Sequence, residues 1–419
     1  MKHEIEIQRE ICCDAVVIGG GTAGVFAAIS AARTGARTVL IEKNARLGGT
    51  VTYGGVNYPG LFYAWGKQII GGPCFEAIER TAALGGAVMP KISYKPERHW
   101  MEQILLDKLT YTKVINDMCR EAGVTVWTNA MLSAAREEKK GLSLLVTDKA
   151  GLFALSAKTA VDCTGDAILV SLLGYPTERS EIQQPATPDN HLSGYAYEDV
   201  DFSDLEKKWS ASPFASRTPL GKIKNYLEIH KINFHIPSVD ADTPEGRGRV
   251  EERAIEDLFA YVQVLRSVKG LENLVMDRLA DETGVRETVR IVGEKQVSAE
   301  EYVRGERYED AISYAFYPVD LHVAAEGAIE QTFLSDGVVP TIPYRALIPK
   351  GADRVLVAGR CLSSDTYANS ALRVQAPCMA MGQAAGVAAA LAARHGESVR
   401  SLSIEKIRSA LSSLGAILP

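Results

Sequence analysis

The chain has 419 residues, 46% of them apolar and 23% charged, with 46 Lys and Arg against 52 Asp and Glu for a formal net charge of −6. That length corresponds to two to three units at roughly 100–200 residues per domain. A mildly acidic chain without a long basic block excludes nucleic acid as the main partner, and the composition excludes disorder, a collagen-like repeat and a small disulfide scaffold.

The N-terminal stretch Met1–Glu10 carries acidic residues where a signal peptide would need a basic and then an apolar run, so no leader is expected. Ala15-Val16-Val17-Ile18 predicts a strand, followed by glycines, an alanine-rich helix ending near Gly35, and a second strand at Thr38–Ile41. Strand, helix and strand within about 30 residues make a βαβ unit of a parallel sheet. Ten glycines crowd Gly48–Gly86 without a period and predict loops whose backbone approaches something closely. Apolar residues at helical spacing over Met101–Glu121 predict a helix ending at Gly123. Strands are expected at Val124–Thr128, Leu142–Thr147 and Leu152–Cys163, with Arg136–Lys140 as a solvated hairpin. Residues 176–245 turn rich in Pro, Asp and Ser, and Val250, Ile255, Leu258, Val262 and Leu265 mark one amphipathic helix. Near Pro340 the earlier style returns, with a strand at Arg354–Ala358 and a long Ala/Gly helix to about Arg394. Ala15–Ala32 and Ala376–Ala393 resemble membrane spans in length, but their Gly and Ala content reads as close packing, and no membrane partner is expected. Seven cysteines, an odd number without C-x-x-C, point to a reducing cytoplasm.

Gly19-Gly20-Gly21-Thr22-Ala23-Gly24 is a G-x-G-x-x-G directly after a strand and at a helix start. The first glycine permits the turn, the second lets backbone approach a pyrophosphate, and the third packs helix on strand. Glu42 ends the second strand about twenty residues on, where a carboxylate accepts ribose hydroxyls. The expected fold is therefore α/β: a Rossmann-like dinucleotide-binding domain with a parallel sheet, built from both chain ends (11–180 and 335–419). An inserted α+β substrate or cap domain would span 181–334.

Arg46-Leu47-Gly48-Gly49 after the ribose acid resembles the R-x-G-G segment of the FAD-dependent oxidoreductases of the glutathione-reductase superfamily. Thr164-Gly165-Asp166 resembles their strand-end T-G-D motif. Val355–Arg360 followed by Met381–Gly386 resembles their C-terminal flavin segment. The broader likeness is to the FAD-dependent oxidoreductase family related to fumarate reductase flavoproteins, which also shows counterparts of Gly284–Thr288, Ile342–Arg345 and Arg373-Val374. The resemblance implies that Gly19, Gly21, Thr22, Ala23, Gly24, Glu42, Lys43, Arg46, Gly48, Gly49 and Thr50 touch FAD. It places the Met131 backbone at the adenine, Thr164, Gly165 and Asp166 near phosphate or ribose, and Gly359 and Arg360 along the ribityl chain. Arg373, Val374, Gln375 and Ala376 would face the pyrimidine end of the flavin. Pro377 stands one place later than in related sequences.

No cysteine pair follows Gly49, no histidine lies between His3 and His99, and no W-x-W-x-I-P occurs; a disulfide reductase, a histidyl-linked flavin and a tryptophan halogenase are thereby set aside. Non-covalent FAD exchanging a hydride at N5 with a small organic substrate is the main expectation. Arg286 is the candidate anchor for a substrate carboxylate, its alternative role being an ion pair with Glu287 or Glu282. His322 is the candidate acid or base, oriented by Asp320 two residues earlier on an extended segment. Tyr317 and Arg345 rank behind them. Scattered histidines predict no metal site, and Asp199–Asp204 lacks a calcium ligand set. The rival readings are a monooxygenase using transiently bound NAD(P)H and oxygen, and a non-catalytic or electron-carrying FAD subunit that passes electrons to a partner.

Overall fold

Val16-Val17-Ile18 is apolar without alternation because both faces of its strand are covered, as in the middle of parallel sheets. The computed structural model describes residues 7, 9–95, 99–237, 240–323 and 329–419, so the acidic N-terminal stretch lies largely outside the described residues. In chain order the elements that matter here are β1 (Glu10–Ile18), α1 (Thr22–Arg33), β2 (Thr38–Glu42), α2 (Lys108–Glu121), β3 (Thr125–Thr128), β4 (Met131–Glu138), β5 (Gly141–Asp148), β6 (Gly151–Asp162), α3 (Pro244–Arg266), β7 (Val319–His322), β8 (Ile329–Thr332), β9 (Val355–Val357) and α4 (Gln375–His395).

A seven-stranded sheet runs β3–β2–β1–β6–β5–β4, and β9 joins it on β6. Pairing is parallel from β3 through β6 and between β6 and β9, and antiparallel along β6–β5–β4. One edge of β6 is shared: Gly151–Ala157 forms a hairpin with β5, and Ala160–Asp162 pairs with Val355–Val357. Both chain ends therefore contribute to one sheet. The strand ends at Ile18, Glu42 and Asp162 point the same way, which places the glycine turn, the acidic residue and the T-G-D turn on a common rim.

α4 is long and apolar enough to cross a membrane, yet it is almost wholly buried. It packs on α1 through glycines: a Cβ on Gly382 or Gly386 would stand 2.0 Å from the carbonyl oxygen of Ala23 or Ala27. Pro377 sits in the first turn of α4, where a missing N–H costs no helical hydrogen bond.

Three elements differ from the sequence reading. α2 begins at Lys108, not near Met101, because the Asp107 carboxylate accepts the Thr110 N–H at 2.8 Å and caps the helix, while Leu105–Leu106 pairs with Ala87–Val88. Leu109, counted on the apolar face, is 79% exposed. β4 was not expected, since its small and charged residues carry no apolar alternation; Arg136–Glu138 lies on it and Lys139–Lys140 at its turn. The glycine-rich stretch holds a helix at Pro73–Ala83, and several of its glycines meet protein: Gly60 against Val374, Gly71 against the Gly415 carbonyl, Gly72 against Gln383.

Residues 192–274 bury a cluster of their own around Trp209, Phe214, Phe234 and Tyr261, with Leu258, Val262 and Leu265 from α3. The Trp209 indole N–H donates to the Thr218 carbonyl at 2.9 Å, and Phe234 stacks on Tyr261 at 4.6 Å. Asp201 and Asp204 are occupied locally, the first capping the helix Phe202–Ser210 and the second pairing with Lys208.

Gly386→Val should destabilise the fold by about 1–3 kcal/mol or more, since backbone and not a movable side chain blocks the new atoms. Urea unfolding measures it. An unchanged midpoint would mean that α1 and α4 are not in the contact described.

Candidate functional site

The chain leaves β1 through Gly19 at φ +96°, where a Cβ would stand 2.6 Å from the Cys163 carbonyl oxygen. A Cβ on Gly24 would stand 1.7 Å from the Gly19 carbonyl oxygen, so this glycine lets α1 press onto the turn. Gly21 is different: a Cβ there would have only the Gly49 Cα, at 3.8 Å, within reach. Gly48 and Gly49 have positive φ, and Gly49 brings the two glycine loops together. Thr50 continues the second loop, its carbonyl accepting the Val56 N–H at 3.1 Å. α1 has no side-chain cap at its N-terminus, and the Thr22 hydroxyl is buried without a hydrogen-bond partner. Unpaired helix N–H groups, an absent side chain and an unpartnered hydroxyl form a donor set that fits a pyrophosphate.

Glu42 is buried at the end of β2. Its Oε2 accepts the Gly20 N–H at 2.6 Å and its Oε1 accepts the Asn44 N–H at 2.7 Å. Burial pushes its pKa up against these bonds. Each oxygen keeps a second lone pair for a ribose hydroxyl. Lys43 pairs with Glu282 at 2.6 Å, and Arg46 pairs with Asp281 at 2.6 Å while standing over the Tyr53 ring. Both cations are thus engaged by carboxylates of the 281–282 segment. Met131 opens β4 with its backbone paired to Thr147, and the Ala130 N–H donates to the Glu42 carbonyl at 3.0 Å, which sets this turn beside the acid.

The T-G-D turn is organised by Asp162. Its carboxylate accepts the Thr164 N–H at 3.0 Å, the Thr164 hydroxyl at 2.7 Å and the Leu169 N–H at 2.8 Å. Arg360 ties three segments together, donating to the Gly165 carbonyl at 2.8 Å and the Val285 carbonyl at 2.9 Å and pairing with Asp166. Gly359 has φ +102° and approaches Ala23 of α1. At the start of α4, the Arg373 N–H goes to the Asn369 carbonyl and the Ala376 N–H to the Pro59 carbonyl at 2.7 Å, so this turn offers fewer free N–H groups than expected. Gln375 donates to the Val56 carbonyl at 2.8 Å and keeps a buried Oε1 without a partner, and Val374 packs on Gly60.

Arg286 donates to the Pro185 carbonyl at 2.7 Å and to the Thr187 hydroxyl. It is not an ion pair with either expected partner: Glu287 is held by Arg290 and Ser180, and Glu282 by Lys43 and Asn44. Burial, and then the positive charge of Arg373, push the Arg286 pKa down to about 9. Arg373 reaches Gln184 at 3.1 Å and has a buried Nε without a partner; burial lowers its pKa, with Asp320 opposing.

The expected orientation of His322 is present, with Nε2 at 3.1 Å from Asp320 Oδ2. Asp320 Oδ1 accepts Gln331 Nε2 at 2.8 Å, and the Asp320 N–H donates to Ser370. Burial raises the Asp320 pKa, but the His322 hydrogen bond and charge outweigh it and hold the carboxyl down at about 2. Burial and the Arg286 charge push His322 down to about 4. Lys222, not singled out from sequence, is also lowered by burial and by Arg286. His235 was missed as well; its Nε2 lies 2.8 Å from His322 Nδ1. Neither residue belongs to a motif, and only the three-dimensional arrangement reveals them. Tyr317 takes a hydrogen bond from Gln103 at 3.2 Å, whereas Arg345 pairs with Asp310 and is half exposed.

A stretch of 37 residues is 65% identical to the mitochondrial dihydrolipoyl dehydrogenase of Caenorhabditis elegans, covering 9% of this chain and 8% of that protein. Over 182 residues the chain is 26% identical to the thiamine thiazole synthase of Methanococcus vannielii, covering 41% of this chain and 64% of that protein. The chain thus spans less than two thirds of the length of either relative. A geranylgeranyl bacteriochlorophyll reductase-like structure from Thermoplasma acidophilum aligns over 97% of this chain and 83% of that one, at 13% identity and a TM-score of 0.47. The family described as FAD dependent oxidoreductase matches residues 14–411. With nearly its whole length matched, and with a rim that fits a dinucleotide, the chain belongs to the FAD dependent oxidoreductase family, and FAD is the cofactor that membership implies.

Proposed function

We propose that this chain exchanges a hydride between a small carboxylate-bearing organic molecule and non-covalent FAD. One observation carries the substrate class. Arg286, Arg373 and Lys222 bring together three positive charges, all with lowered pKa values, against which Asp320 acts on the two arginines and Glu287 on Arg373, an excess that an anion would neutralise. Bound FAD supplies a ring that accepts or returns a hydride at N5. Gly19–Gly24 and Glu42 hold the pyrophosphate and the ribose, with Lys43, Arg46, Gly48–Thr50, Met131, Thr164–Asp166, Gly359–Arg360 and Arg373–Ala376 completing the cofactor's surroundings. Absence of histidine and cysteine between Lys43 and Pro73 supports a non-covalent link.

Arg286 anchors the substrate carboxylate, Arg373 serves substrate or flavin, and His322 with Asp320 holds the accompanying proton. Arg286, His322, Asp320, His235 and Lys222 all come from residues 181–334, which supports reading that span as a cap over a cofactor domain formed by 11–180 and 335–419. Six buried free cysteines suit a reducing cytoplasm. The electron partner is a transient visitor, either NAD(P)H or a redox protein.

Arg286→Ala should raise KM for the carboxylate about ten- to a hundredfold, the worth of one charged hydrogen-bonded contact. Arg286→Lys should restore only part of it, because the ammonium lacks the planar fork. Equal KM values in all three proteins would remove Arg286 from the substrate site. A product containing oxygen from O2 would point to monooxygenation instead.

The pH profile gives a second test. His322 is lowered from 6.5 to about 4, so its neutral, proton-accepting form persists into acid. Flavin reduction by substrate should therefore lose rate only as pH falls towards about 4. An acid limb centred near 6.5 would contradict the assignment of His322 as the base.

A further inference from the structure

We propose that His235 is a positioning residue: Asp320 fixes the Nε2–H tautomer of His322, His235 covers the Nδ1 that remains, and the two imidazoles take up a single proton as one unit. The role belongs to the substrate site proposed above, although its test needs no substrate.

Two ring nitrogens 2.8 Å apart, His322 Nδ1 and His235 Nε2, hold one hydrogen between them. Two hydrogens would collide there, and two bare lone pairs would repel. The other nitrogen of His322 faces Asp320 Oδ2 at 3.1 Å, and Gln331 secures the second oxygen of that carboxylate. An ionised carboxylate only accepts, so it takes the Nε2–H of His322. A neutral His322 then has a bare Nδ1, and the hydrogen at the contact belongs to His235 Nε2. The rings meet at 73° with centroids 4.9 Å apart, an end-on arrangement and not a stack.

The surrounding charges limit this pair to one added proton. Arg286 and Lys222 face His235, opposed there by a hydrogen bond to the Val323 backbone, and Arg286 and Arg373 face His322, opposed there by Asp320. Two imidazolium ions in contact beside these cations would leave at least one charge uncompensated. Because Asp320 occupies Nε2 and the His235 Nε2–H occupies Nδ1, a proton taken up by the pair enters at His235 Nδ1 while the Nε2–H passes across the contact to His322 Nδ1, so the contact never holds two hydrogens. His235 thereby governs how His322 gains and loses its proton.

The test uses full-length, flavin-loaded protein labelled with 15N in the histidine rings, with His322→Gln for assignment. Long-range 1H–15N spectra are recorded against pH for wild type, His235→Gln and His235→Leu. Wild type should show His322 as the Nε2–H tautomer at neutral pH, with both rings shifting at one common midpoint. Asp320 should keep that tautomer in both variants, but each removes the second titrating ring, so His322 should titrate alone, at a midpoint about 0.5 pH unit or more from the wild-type one in His235→Leu, which uncovers Nδ1. Separate, independent midpoints in wild type, or an Nδ1–H tautomer at neutral pH, would overturn the proposal. So would an unchanged His322 midpoint in His235→Leu; if that variant does not fold, the wild-type midpoints and His235→Gln still decide. Where a carboxylate substrate turns over, the acid limb of kcat should follow the common midpoint of the pair in wild type and move with the His322 midpoint in His235→Leu, with KM unmoved. Failure of every substrate to reduce the flavin would count against the substrate reading and leave the spectra interpretable.

Discussion

The carbonyl oxygens of Ala23 and Ala27 occupy the space in which side chains at Gly382 and Gly386 would begin. This backbone-to-backbone contact joins the first helix of the chain to the last long one, across more than 350 residues of sequence. Much else depends on it. α1 carries the phosphate-facing glycines at its N-terminus, and α4 begins beside Arg373. Their separation therefore sets how far the cofactor rim lies from the charged cluster. The pairing of β9 with β6 reinforces the same closure, since it brings Gly359 and Arg360 to the turn that follows Asp162.

The second constraint is electrostatic. Two kinds of cation surround the site. Lys43, Arg46 and Arg360 are matched by Glu282, Asp281 and Asp166; the first two pairs tie Asp281 and Glu282 to the glycine rim, and Arg360 adds a hydrogen bond to the Val285 carbonyl. Among the described residues Arg286, Arg373 and Lys222 form no ion pair, and their burial lowers the pKa of each. A buried charge without a partner is costly and is tolerated where a ligand completes it. The contrast between paired and unpaired cations is what the proposed anion site rests on.

Much of this was readable in the sequence where backbone geometry dictates residue type. Gly19, Gly24 and Glu42 stand where turn, packing and hydrogen bonding require them, and the Asp320–His322 spacing correctly predicted a shared face on β7. Other features were hidden because the signal lies in tertiary contacts. β4 lacks apolar alternation, and α2 starts late because Asp107 caps it. The glycines after Gly54 answer to α4 and the C-terminal tail as well as to any ligand. His235 and Lys222 belong to no motif. Lys43 and Arg46 were expected to touch FAD, and the carboxylates that pair with them, Glu282 and Asp281, come from far along the chain and leave no local trace in the sequence.

The central claim is that both chain ends form one site for non-covalent FAD. The visible absorption spectrum of the purified protein, before and after acid precipitation, tests it most directly. The account predicts a flavin spectrum that moves entirely into the supernatant, with one FAD released per chain. A colourless protein that also fails to take up added FAD would contradict it, and yellow colour kept in the pellet would contradict the non-covalent link.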